Sequence, residues 1–132
     1  MYRIMLPLLL LLLPYPALAA DEEENPPPAV MSYYQIQPSL VANLASGGRY
    51  VRCDIQLMTE DPSQLEDFKL HDPAIRHVLL MLLSEQDGEQ IKSVEGKEAL
   101  RKKAITQIRA LIKKETGKEG PQELFFTTFF IQ

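Results

Sequence analysis

The sequence predicts an α+β domain, a small antiparallel sheet of three to four strands with helices packed on one face. Three observations predict it. Residues 49–60 alternate apolar and polar side chains, the period of a strand with one buried face. Residues 73–83 and 93–114 carry apolar side chains at helical spacing behind helix-start residues. Residues 123–132 return to a β-rich aromatic run. The order β-β-β-α-α-α-β segregates the helices to one side of the sheet.

Residues 33–37 and 39–44 read as two short strands broken at Pro38, which cannot donate to a ladder. Ala45-Ser46-Gly47-Gly48 is a turn, because paired glycines permit positive φ. Residues 49–60 then form the longest strand. Val51, Cys53, Ile55 and Leu57 share its inner face, while Arg52, Asp54 and Gln56 point the other way, so that face is wet or lightly covered. The strands on either side of the turn are expected to pair as an antiparallel hairpin.

Asp61-Pro62 and Asp72-Pro73 repeat one helix-start device: Asp caps the first free amides, and Pro in the first turn wastes no donor. The first helix is short, with Leu65 and Phe68 inward. In the second, Ile75, Val78, Leu79 and Leu82 form one stripe, leaving Leu80, Met81 and Leu83 off it. Those three are a candidate apolar partner interface; their alternative is burial between neighbours on both sides. Asp87-Gly88 is expected to end this region. Ser93 caps the last helix, with Glu95 and Glu98 early and Lys113 and Lys114 late, an order that suits the helix dipole. Leu100, Ala104, Ile105, Ile108, Leu111 and Ile112 form its buried side. Arg101, Lys102, Lys103 and Arg109 lie outside it, with Glu98 spaced to pair with Lys102. Arg101 and Lys102 are the candidate contact for an acidic partner. Gly117 and Gly120-Pro121 stop the helix. Strict alternation in the final strand puts Phe126 and Phe130 on one face and Phe125, Phe129 and Ile131 on the other. A strand apolar on both faces is expected to be central or covered, and to pair with residues 49–60.

The N-terminus divides from this domain by composition. Residues 1–20 carry Arg3, an apolar run from Ile4 to Leu13, and an Ala-rich end, the marks of a secretory signal cleaved after Ala19 or Ala20. As a helix, Ile4 to Ala20 would span roughly 25 Å, short of a hydrocarbon core of about 30 Å. Pro7, Pro14 and Pro16 would also break it. Residues 21–32 begin acidic and become Pro-rich, the composition of an extended linker. Removing residues 1–20 takes away one basic residue and moves the net charge from -4 to -5. That balance argues against general affinity for nucleic acid or anionic lipid, so membrane contact would depend on a retained leader.

No constellation for chemistry appears. His71 and His77 do not share a face, and a four-ligand zinc spacing is absent. The carboxylates Glu66, Asp67, Asp72, Glu85, Asp87 and Glu89 sit at helix ends and in a polar loop, where solvation is the default. Cys53, the one cysteine, alternates into the sheet and reads as a core thiol. The expectation is a protein with no catalytic residues, no metal and no cofactor.

Four signatures occur in collinear order: Gly48-Arg49-Tyr50-Val51, Asp72-Pro73-Ala74-Ile75-Arg76, Glu95-Gly96-Lys97-Glu98-Ala99-Leu100-Arg101 and Phe126-Thr127-Thr128-Phe129-Phe130-Ile131-Gln132. Together they resemble the extracytoplasmic domain of the flagellar basal-body-associated FliL family, over roughly residues 40–132. Thr128 stands where the family commonly shows Asp, and a signal peptide replaces the family's usual transmembrane helix. The resemblance implies a stomatin-like periplasmic domain spanning residues 33–132, placed at the inner membrane beside the flagellar basal body. It implies non-enzymatic action by contact with stator or basal-body proteins, and ring assembly with itself or with a membrane-bound FliL relative. A periplasmic binding or scaffold module outside the flagellum is the alternative. A cystatin-type inhibitor would need a Gln-x-Val-x-Gly loop, which residues 45–48 do not supply.

Overall fold

The structure is a computed structural model that describes residues 30–132. The leader, its cleavage site at Ala19 or Ala20, and the linker as far as residue 29 lie outside the described residues. In chain order the elements are β1 (Ser32–Gln35), β2 (Leu40–Asn43), β3 (Tyr50–Thr59), α1 (Gln64–Leu70), α2 (Asp72–Ser84), α3 (Gly88–Ile91), α4 (Val94–Thr116) and β4 (Glu123–Ile131). This is the expected α+β arrangement, with four antiparallel strands.

Every strand is registered on β3. Along one edge β1 pairs with its second half, from Ser32 opposite Thr59 to Gln35 opposite Gln56, and β2 pairs with its first half, from Leu40 opposite Cys53 to Asn43 opposite Tyr50. Along the other edge β4 pairs with nearly its whole length. Val51, Cys53, Ile55 and Leu57 are all buried, and they meet Leu40, Phe68, Ile75, Leu79, Leu83, Ile108 and Ile112 in one core. Burial raises the Cys53 thiol to about 12, so it stays protonated and inert.

The final strand departs from the sequence expectation in a way that explains its composition. A register irregularity places Asp54 opposite Thr128 but Ile55 opposite Phe126, leaving Thr127 as an extra residue. The bulge shifts the alternation by one. Leu124, Phe126, Phe129 and Ile131 therefore all lie opposite inner-face residues of β3, and Phe125, Thr128 and Phe130 lie opposite Gln56, Asp54 and Arg52. The strand carries apolar residues on both faces, as expected, but it is neither central nor covered. It is an edge strand whose outer face, once the bulge is counted, holds Phe125 and Phe130 together and exposed.

The helices also differ in detail. Asp61 does cap a turn, accepting from the Ser63 amide at 3.0 Å and its hydroxyl at 2.6 Å, but α1 begins only at Gln64. Asp72 is no cap: it is the first residue of α2, and its carboxylate accepts the Tyr34 hydroxyl at 2.9 Å, tying β1 to the helices. Asp87 starts an element rather than ending one, because its side chain accepts from the Glu89 amide at 2.9 Å and opens α3. The Ser93 cap of α4 and the left-handed Gly117 that closes it stand as expected. In α2 the buried set is Ile75, Leu79, Leu82 and Leu83, with Val78 half-buried, because this helix packs against both β2 and α4.

The hairpin turn is seated on the loop before α3. Gly88 donates its amide to the Ser46 carbonyl at 2.8 Å, and Ala45 donates to the Gln86 carbonyl at 3.1 Å. Gly47 sits at φ 69° with the backbone nitrogen of Glu89 only 2.6 Å from where a Cβ would stand. Gly47→Ala combines a left-handed backbone with that overlap, and is expected to cost about 2 kcal/mol or more. Urea unfolding of the variant against the parent measures it; an unchanged midpoint would show that the turn can lift off the α3 loop without penalty.

Candidate partner-binding surface

The outward residues of β3 are Tyr50, Arg52, Asp54, Gln56 and Met58, and no helix covers them. Register extends each into a row. Val41, Arg52 and Phe130 form one; Asp54 and Thr128 form the next; Gln35, Gln56 and Phe125 form the one after; Tyr33 stands beside Met58 at the far end. Tyr33 is 53% exposed, Val41 55%, Phe125 39% and Phe130 51%, so apolar groups from three strands stand on one uncovered face. Scattered exposed apolar residues need no explanation, but four of them from three strands on one open sheet face make it the candidate interaction surface.

The centre of this face is polar. Asp54 accepts a short hydrogen bond from the Ser39 hydroxyl, and that bond first, then Thr128, holds its carboxyl below the ordinary carboxylate range. Thr127 reaches the Asp54 carbonyl at 3.4 Å. Gln35, Gln37, Pro38, Ser39, Asp54 and Thr127 together line a shallow open depression. Amide, hydroxyl and carboxylate groups ringed by aromatic and aliphatic side chains suit recognition of another protein. Among the described residues no cluster of His, Cys, Asp and Glu has the form of a metal site. Asp54 accepts from Ser39 and Thr128, which suits it to hydrogen bonding at this face.

The residues singled out from sequence do not gather on this face or on any one patch. Leu83 is 1% exposed and belongs to the core, Leu80 is half-buried against it, and Met81 alone of the three is exposed, at 51%. Arg101 is engaged: its guanidinium holds Glu98 at 2.6 Å and reaches Glu123 on β4 at 2.8 Å. Glu98 therefore pairs at i+3 with Arg101, not with Lys102. Lys102 is exposed on α4 with Lys103, Thr106 and Gln107, and joins none of the ion pairs among the described residues. Sequence reasoning missed Tyr33, Val41, Phe125 and Phe130. The signal for the last two was the break in parity between Leu124/Phe126 and Phe129/Ile131, with two consecutive threonines between them.

The surface can now be set beside known proteins. The family described as flagellar basal body-associated protein FliL matches residues 33–132, which takes in all of the sheet but Ser32 and all four helices. The chain belongs to the FliL family. A "Flagellar protein FliL" from Aquifex aeolicus (strain VF5) is 28% identical over 101 residues. That match takes in 75% of this chain, and the chain spans 60% of the length of that relative. The FliL match covers both the open face and the β4 edge. No helix among the described residues is long and apolar enough to cross a membrane.

Two outcomes follow from this geometry. Leu83→Lys places a charge in the core and is expected to cost more than about 4 kcal/mol, whereas Met81→Lys should stay within about 0.5 kcal/mol; thermal melts of the two variants measure the contrast, and equal melting temperatures would refute the assignment of Leu83 to the core. The second concerns pH. Asp54, Asp61 and Glu98 are all held low, by Ser39, Ser63 and Arg101 respectively. A depressed carboxyl stabilises the fold above its unfolded value, and that stability is lost as pH falls through the folded value. The melting temperature should thus be level from neutral pH to about 5 and fall below about 4. The combined Asp54→Asn, Asp61→Asn, Glu98→Gln variant should fall less steeply over the same range, and a parent that gains stability on acidification would contradict the assignment.

Proposed function

We propose that this chain is a flagellar accessory protein that acts at the basal body by protein–protein contact, without chemistry of its own. The observation that carries this is the uncovered sheet face, where Tyr33, Val41, Phe125 and Phe130 stand exposed around a polar centre in a domain of the FliL family. A face of this kind offers aromatic anchors and a polar rim, the anatomy of a protein interface. The partner in this reading is the periplasmic part of a stator or basal-body protein, and the mechanism is bracing: a rigid sheet held against a neighbour favours the neighbour's working conformation. Delivery outside the cytoplasm by the leader of residues 1–20 fits that placement.

The test is genetic and cell-biological. Cells lacking the protein should swim more slowly than the parent, most visibly in viscous medium, and a tagged copy should collect at basal bodies. Phe130→Lys is exposed and should change stability by no more than about 0.5 kcal/mol, yet fail to restore swimming. Full restoration by a folded Phe130→Lys protein would remove the open face from the mechanism, and unaltered swimming in the deletion strain would remove the flagellum.

A further inference from the structure

The β4 edge carries a second, independent pattern. Residues 124–131 read Leu-Phe-Phe-Thr-Thr-Phe-Phe-Ile, a near-palindrome centred between Thr127 and Thr128. Reversed against itself, the segment sets Thr127 opposite Thr128, Phe126 opposite Phe129, Phe125 opposite Phe130 and Leu124 opposite Ile131. We propose that two copies of this chain pair edge to edge through β4, antiparallel about a two-fold axis normal to the sheet at that centre.

The bulge is what permits this register. A two-fold axis normal to a sheet keeps each side chain on its own face, so opposed residues must share a face. In an unbroken strand Phe125 and Phe130, five apart, would point to opposite faces and the palindrome would be unusable. With Thr127 extra, Phe125 and Phe130 both lie on the open face, and Leu124, Phe126, Phe129 and Ile131 all lie on the helix face. Every palindromic pair outside the threonine centre is therefore matched in face. Amide direction alternates together with side-chain face, so the pairs are also matched in their outward N–H and C=O groups. Such an interface is isologous and closes after two copies.

Electrostatics and burial agree. Natural edge strands avoid self-pairing with Lys, Pro or brevity. Residues 124–131 contain no charge and no proline, and β4 is nine residues long. Glu123, at its start, is held by Arg101 at 2.8 Å, which offsets its charge, and Lys97 stands over the Phe129 ring at 4.8 Å rather than across the edge. Beside the edge, Val94, Lys97, Glu98, Arg101, Phe125 and Phe126 line a mostly apolar depression, and Val94 is 82% exposed. Eight paired residues make an edge about 27 Å long, and with the aromatic pairs the contact buries on the order of 1,000 Å². That is the lower limit for a specific interface, so the copies exchange readily. The open faces of the two sheets then join, which places Phe130 of one copy beside Phe125 of the other.

The register is tested with the whole protein carrying Phe125→Cys in one preparation and Phe130→Cys in another, treated with a short bis-maleimide. Cys53 is buried and does not react. Mixing the two preparations should give about tenfold more cross-linked dimer than either alone, because only residue 125 against residue 130 lies within cross-strand reach. Adding Thr128→Lys to both, an exposed change that removes a hydrogen bond to Asp54, should lower the melting temperature by a few degrees at most and reduce the product by about tenfold through charge at the pairing centre. Equal product in unmixed samples overturns the register. No product in the mixture overturns the pairing, including the case in which the edge is reserved for a strand of another protein.

Discussion

The structure depends on the strict alternation of β3. This strand gives its inner face to the core, its outer face to solvent, one edge to β1 and β2, and the other to β4. No two of the other strands are neighbours along the sheet. Each therefore takes its register, and with it the face of every side chain, from a single ten-residue segment. The bulge at Thr127 is the one adjustment, and it brings the apolar residues of β4 into phase with Val51, Cys53, Ile55 and Leu57. Without it, half of the aromatic rings would be on the wrong side.

A small set of polar contacts holds the helical layer to that sheet. Gln64 is buried beside Thr59 at the end of β3 and accepts the Gly120 amide at 3.0 Å, so one side chain joins sheet, helix and the approach to β4. Arg109 donates to the carbonyls of Pro121 and Gln122 at 2.7 and 2.6 Å, and Arg101 spans from α4 to Glu123. Tyr34 reaches Asp72 while its ring meets Phe68 edge-on at 6.1 Å. Burial and that hydrogen bond to Asp72 raise the Tyr34 phenol to about 12, so it remains a donor at all physiological pH. These contacts tie α1, α2 and α4 to the strands and to the segment that leads into β4.

Much of this was legible in the residues. The alternation of β3, the pairing with β2 and β4, the buried Cys53, the Ser93 cap and the family likeness all followed from period, capping chemistry and order. What was not legible came from competition between equally plausible partners. Asp72 had the position of a cap, but a tyrosine hydroxyl from a strand 38 residues earlier claimed its carboxylate. Leu83 lay off the stripe drawn through Ile75 and Leu79, yet a helix packed on two sides has a wider buried arc than a single stripe describes. Arg101 and Lys102 are adjacent and alike in charge; only the tertiary position of Glu123 makes one a structural clamp and leaves the other free in solvent. The open outer face of β3 was legible from its alternation, but the joint placement of Phe125 and Phe130 on it was not, since the bulge resets the phase of β4.

The central position of β3 has a consequence for how the chain comes into being. A polypeptide is made from its N-terminus, and β1, β2 and the four helices all emerge before the segment that completes the sheet. Until Glu123–Ile131 arrives, one whole flank of β3 has unsatisfied amides and carbonyls, and its inner side chains lack their last cover. The domain cannot mature piecewise during synthesis, because its longest ladder joins residues about seventy positions apart. Biogenesis is therefore a single late event, and a nascent chain interrupted before its final aromatic run is a sticky half-sheet that quality control must recognise.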